Sequence, residues 1–173
     1  MNVSLDADFF TLMGLPQSYA IDTARLDSAY RELQARVHPD RFVSGTDAEK
    51  RLAMQWATHA NEAYRTLRRP LDRARYLLKL RGVDTGEQDN TAMPAEFLMQ
   101  QMEWREAVAD VANAAQLDAL VATFAAERRR LFAELADALT DVSRSAEAAL
   151  AVRKLRFIEK LEQEADAERE AAS

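Results

Sequence analysis

The chain contains no cysteine. That excludes disulfides, a nucleophilic thiol, a thiolate zinc site and any cluster held by the chain's own sulfur ligands. Histidine is nearly as scarce, with only His38 and His59 in 173 residues. A histidine-rich metal site is therefore not expected, and no cofactor is implied. Runs of β-branched and aromatic residues are missing, so no strand is expected. No apolar run approaches the ~20 residues of a membrane span. The first fifteen residues carry Asp6 and Asp8 and no basic residue, unlike a secretory signal. These absences lead to the expectation of a soluble, cytoplasmic protein.

What the chain does have is charge, unevenly placed. Residues 1–81 hold thirteen Lys and Arg against ten Asp and Glu, whereas residues 82–173 hold ten against nineteen. The first part is thus net positive and the second strongly negative, which suggests two parts with different partners. The overall net charge of −6 argues against nucleic acid, because phosphate contacts dominate that affinity.

Glycine and proline occur four times each, and they punctuate the chain. Between the breaks the pattern is helical. A short helix is expected over 6–13. A second starts at Asp22–Thr23, with Leu26, Tyr30, Leu33 and Val37 on one stripe. It stops at His38, because Pro39 disfavours the α conformation of the residue before it. Thr46 and Glu49 form a capping box for a third helix. Its inward face is read as Leu52, Trp56, Ala60, Ala63 and Leu67, with His59 exposed. Pro70 opens a fourth helix over 70–81 that buries Leu71, Ala74, Leu77 and Leu78.

A polar linker, 82–93, leads to three longer helices at about 94–113, 115–140 and 145–168, with a fraying tail from 164. The middle one carries the stripe Leu117, Leu120, Phe124, Leu131, Leu135 and Leu139, and three such helices make a bundle. Arg128, Arg129 and Arg130 read as its solvated face. In the first bundle helix, Phe97, Trp104, Val108 and Val111 point one way and Leu98, Met99 and Met102 another, flanked by Glu103 and Glu106. These off-stripe residues are either a second packing face or an exposed patch; methionine suits an adaptable binding surface. In the last helix, Phe157 lies at the flank of the stripe Leu150, Leu155, Ile158 and Leu161.

The sharpest feature is His38-Pro39-Asp40, at a turn between two amphipathic helices, preceded by Arg31 and Arg36 and followed by Arg41. As a bare tripeptide it reads equally as a helix stop. No nucleophile, metal partner or phosphate loop accompanies it, so hydrolytic chemistry is not supported.

Together with Tyr30, Leu33, Phe42 and Asn61-Glu62-Ala63-Tyr64, this arrangement over about residues 7–78 resembles the J-domain. Val37 stands where tyrosine is more usual and Arg41 where lysine is common. The opening Phe9-Phe10-Thr11-Leu12-Met13-Gly14-Leu15-Pro16, the run from Thr66 to Leu78, the stretch Phe97 to Glu106 and the segment Val152 to Phe157 extend the resemblance over nearly the whole chain, to the HscB family. Members of that family are J-proteins of bacterial iron–sulfur cluster assembly. The resemblance implies two partners, an HscA-like chaperone ATPase and an IscU-like scaffold protein. It implies chaperone contacts at His38, Pro39, Asp40, Arg31, Arg36 and Arg41, and scaffold contacts at Leu98, Met99, Met102, Glu103, Glu106 and Phe157.

The expectation is an all-α chain: a J-domain at 1–81, a linker at 82–93 and a scaffold-binding three-helix bundle at 94–173. The resemblance leads to the expectation of a monomeric co-chaperone without catalysis of its own. The alternative is a structural helical adaptor in which the His-Pro-Asp turn is only a turn. A helix-turn-helix nucleic-acid binder fits worse, because the loop is too long and the charge is wrong.

Overall fold

A computed structural model describes residues 4–88 and 93–171, all helix and turn with no strand among them. Residues 89–92 of the expected linker lie outside the described residues. The chain divides into two compact units, 1–77 and 78–173.

In the first unit the helices are α1 (Phe9–Leu12), α2 (Thr23–Val37), a 3-10 turn (Pro39–Phe42), α3 (Asp47–Arg68) and the start of α4 (Pro70–Leu80). Local chemistry sets their ends. The Asp8 carboxylate accepts from Thr11 N, so α1 begins later than position 6. The Asp22 carboxylate accepts from Ala24 N and Arg25 N. Thr46 and Glu49 form the capping box the sequence announces. After α1, Gly14 adopts a left-handed φ of 63°, which lets Gly14 N reach Thr11 O and Leu15 N reach Phe10 O. This is the paired closure that a helix end makes around glycine.

α2 and α3 run antiparallel: Asp27 meets Tyr64 and Arg68, while Tyr30, one turn on, meets Asn61 and Tyr64. Phe10, Leu26, Ala60, Ala63, Leu67 and Ala74 are fully enclosed. The buried face of α3 is Ala53, Ala60, Ala63 and Leu67. Leu52, expected inside, is 48% exposed, and Trp56 is half-buried. His59 is not freely exposed either: its ring lies edge-on to Phe9 and Trp56.

The second unit holds α5 (Ala95–Ala109), α6 (Ala114–Ala138), a 3-10 turn (Val142–Arg144) and α7 (Ser145–Ala171). α5 ends before the expected position 113 because Asn113 is extended there, accepting from Gln116 N to cap α6. α6 and α7 are antiparallel, as Asp118–Arg169 and Arg128–Glu162 show. The core includes Phe124, Leu131, Leu135, Val152, Leu155, Ile158 and Leu161. Edge-to-face rings join the three helices in series, from Phe157 to Phe97, Trp104 and Phe124, at centroid separations of 5.9, 6.4 and 5.8 Å. The end of α7 does not fray where expected: Ala165 is fully buried and Arg169 lies 2.6 Å from Asp118.

Candidate functional site

Two surfaces carry the residues singled out by the sequence, one in each unit. The first is the turn between α2 and α3. Pro39 forces His38 out of the helix, to φ −58° and ψ 132°, and itself opens the 3-10 turn. The turn is closed by its own atoms. His38 Nδ1 accepts from Asp40 N at 3.3 Å, and Arg41 N donates to His38 O at 3.0 Å. Arg41 also reaches back, donating from Nη1 to Ala35 O at 3.2 Å, which satisfies a carbonyl in the last turn of α2.

Asp40 is left projecting, with its side chain 86% exposed, beside a His38 side chain that is 57% exposed. Arg31 and Arg36 are exposed on α2. Five residues apart, they point about 140° away from each other, so they flank the turn rather than line one stripe. Arg36 faces a groove shared with Leu33, Val37, Leu12, Met13 and Trp56. Three further apolar side chains are exposed in the segment that follows the turn and enters α3: Val43 at 71%, Leu52 at 48% and Met54 at 62%. Sequence reading passed over Val43 and Met54 and placed Leu52 inside.

The second surface lies on α5. Leu98, Met99 and Met102 are 38%, 64% and 64% exposed, and Glu103 and Glu106 are exposed alongside them. Phe97 and Val108 are buried on the opposite side. The off-stripe residues therefore form a surface patch and not a second packing face.

Phe157 sits differently. It is 8% exposed, packed edge-on against Phe97, with the Arg105 guanidinium 5.2 Å above its ring. α7 packs against both α6 and α5, so it buries two adjoining stripes, and Phe157 belongs to the one facing α5. It supports the α5 surface from beneath.

Among the described residues no cluster of three or more His, Asp or Glu is placed to hold a metal ion. No described helix is long and apolar enough to cross a membrane.

The profile of the HSCB C-terminal oligomerisation domain matches residues 93–166, which takes in the α5 patch. The "Co-chaperone protein HscB homolog" of Cupriavidus taiwanensis is 55% identical over 165 residues, covering 94% of this chain and 93% of that protein. The chain belongs to the HscB family. Solved HscB structures have the same fold. The human co-chaperone HscB superposes with a TM-score of 0.90 at 30% identity, over 96% of this chain and 84% of that one. Chaperone HscB from Vibrio cholerae gives 0.84 at 37% identity, over 96% of this chain and all of that one. HscB architecture, a J-domain followed by a C-terminal helical bundle, is thus the architecture of this all-α chain.

Proposed function

We propose that this HscB-family co-chaperone stimulates ATP hydrolysis by a DnaK-class, HscA-like chaperone and delivers to it an IscU-like iron–sulfur scaffold protein. The observation that carries the reading is the exposed, locally closed His38-Pro39-Asp40 turn, with its unburied carboxylate, held between two antiparallel helices. An ion pair made there on docking is charge-assisted, and an arginine of the ATPase suits it in geometry. Arg41 within the turn and Arg31 and Arg36 on α2 ahead of it favour an acidic partner surface. Stimulation requires only that the turn bind the hydrolysis-competent state of the chaperone better than the other state.

On this reading residues 1–81 dock the chaperone and residues 94–173 hold the scaffold through Leu98, Met99, Met102, Glu103 and Glu106, with Phe157 beneath. The segment 82–93 connects them, which raises the effective concentration of scaffold at the chaperone. The protein works in the cytoplasm as a monomer, and the cluster is cargo on the scaffold.

The test is Asp40→Ala. It should abolish acceleration of the chaperone's ATPase in single-turnover assays while the circular dichroism melt stays unchanged, as expected for an exposed turn. A folded Asp40→Ala protein that still accelerates hydrolysis would overturn the reading in favour of a structural adaptor.

A further inference from the structure

With no cysteine in the chain, its oxidisable sulfur is confined to six methionines. The structure sorts them by access. Met13, at the end of α1, is enclosed at 2% exposure, and Met93 is half-buried. Met54, Met99 and Met102 stand in solvent to about the same degree as one another. Met54 belongs to α3, whereas the other two lie one turn apart on α5. Around the axis of α5, Met102 points about 40° and Met99 about 100° from Leu98, so both belong to the surface patch. Met99 lies about 180° from the buried Val108, with no share in the packed side of the helix. The exposed carboxylates of Glu103 and Glu106 stand beside the pair. They repel an anionic oxidant but leave a small neutral one, hydrogen peroxide, free to approach.

The chemistry is a two-electron transfer. A lone pair of the thioether attacks one oxygen of the peroxide. The S–O bond forms as the O–O bond breaks, and the departing hydroxide takes the proton from the transferred oxygen and leaves as water. Sulfur is oxidised by two electrons and the peroxide reduced by two. The product, methionine sulfoxide, is polar and chiral where the thioether was apolar and pliant. On the free chain its oxygen stays in water, so the fold has no reason to change. In an apolar contact with a partner the same oxygen is buried without a donor, which opposes binding.

We propose that Met99 and Met102 are sites of reversible oxidation, by which peroxide switches off scaffold binding at the α5 patch and dithiol-dependent methionine sulfoxide reductases switch it on again. The proposal rests on the scaffold-binding reading of this patch and adds its regulation. Chaperone docking in the first unit is outside the reach of the switch, so oxidation separates the two proposed activities. The enclosed Met13 is spared at peroxide levels that convert the pair, which keeps the modified chain folded.

The experiment treats the full chain with limiting hydrogen peroxide and removes the peroxide before an IscU-like scaffold protein is added. The partly oxidised chain is captured on immobilised scaffold, and the retained and unretained fractions are mapped by mass spectrometry. Met54, Met99 and Met102 should gain oxygen before Met13 does. The retained fraction should be depleted roughly tenfold in chains carrying a sulfoxide at 99 or 102, and not in those carrying one at 54. The melting temperature should stay unchanged, and the two stereospecific reductases with dithiothreitol should restore retention. The Met99→Leu, Met102→Leu protein, compared with its own untreated affinity, should be indifferent to peroxide. Equal depletion at Met54, or a collapsed melt, would mean that oxidation acts through the fold, and the proposal fails. It fails too if the leucine protein loses affinity on treatment, or if the reductases restore nothing. Leu98→Ala, never oxidised, checks the scaffold site independently. If no depletion is seen at 99 or 102 and Leu98→Ala binds more weakly than the wild type, the scaffold site stands and the switch does not. If no depletion is seen and Leu98→Ala binds normally, the scaffold site is wrong and the switch falls with it.

Discussion

The ring of Tyr30 stacks on that of Tyr64 with centroids 4.1 Å apart and planes 14° from parallel. Each hydroxyl is spent across the same interface, Tyr30 on Asn61 and Tyr64 on Asp27 at 3.0 Å. The pair ties α2 to α3 on the solvent side of the alanine-lined contact. A double-mutant cycle on Tyr30→Ala and Tyr64→Ala, read by urea unfolding, should give a coupling of about 0.5–1.5 kcal/mol. A coupling near zero would mean that the stack contributes only buried area.

Phe157 and Met102 should separate stability from binding. Phe157→Ala removes a buried ring that links α5 to α7 and should cost roughly 3–5 kcal/mol, lowering the melting temperature sharply. Met102→Ala, at an exposed site, should shift stability by no more than ~0.5 kcal/mol. Its effect should instead appear as weaker scaffold binding. Thermal melts beside calorimetric titrations check both.

The capping box at α3 gives a pH dependence. Hydrogen bonds from the backbone of Thr46, and from its side chain, hold the Glu49 pKa below the ordinary value of 4.5. A carboxyl depressed in the folded state adds stability that is fully present above its unfolded value and is lost as pH falls through the folded one. Glu49→Gln can keep both cap bonds but cannot titrate. The melting temperature of the native chain should therefore fall more steeply below about pH 4.5 than that of the variant. Parallel curves between pH 3 and 6 would refute this.

The two proposed activities should come apart on separate fragments, cut within 82–93. Residues 1–81 should accelerate the ATPase without retaining scaffold, and residues 94–173 should retain scaffold without acceleration. Circular dichroism must first show each piece folded. In an ATPase assay at limiting scaffold, an equimolar mixture should fall below the intact chain. Equal rates would remove any delivery role from the link.

The features legible in the sequence were those set by neighbours along the chain. Asp22, Thr46 with Glu49, and Pro39 act within a few residues of themselves, so helix ends there could be placed before any tertiary contact was known. The exposed Leu98, Met99 and Met102 stood apart from the core stripe by periodicity, though only the structure decided between patch and packing face. What escaped depends on partners far away in sequence. Leu52 and Ala53 exchange roles because the buried face of α3 centres on its alanines. No local pattern singles out Arg73, yet it is 7% exposed, donating to Leu67 O at 2.7 Å and lying over Tyr19.

On the proposed function, Arg41's bond to Ala35 O, with the closure of His38 on Asp40 N, would bear on how fast a chaperone is engaged. A turn already fixed by its own bonds pays little ordering entropy on contact. If the turn docks a chaperone ATPase as proposed, encounter would be limited by diffusion and orientation, not by loop folding, and its rate should rise at low ionic strength through Arg31 and Arg36. Freed from that bond, as in Arg41→Ala, the turn would have to be ordered at every collision. The loss would then appear in the association rate constant before it appeared in the lifetime of the complex.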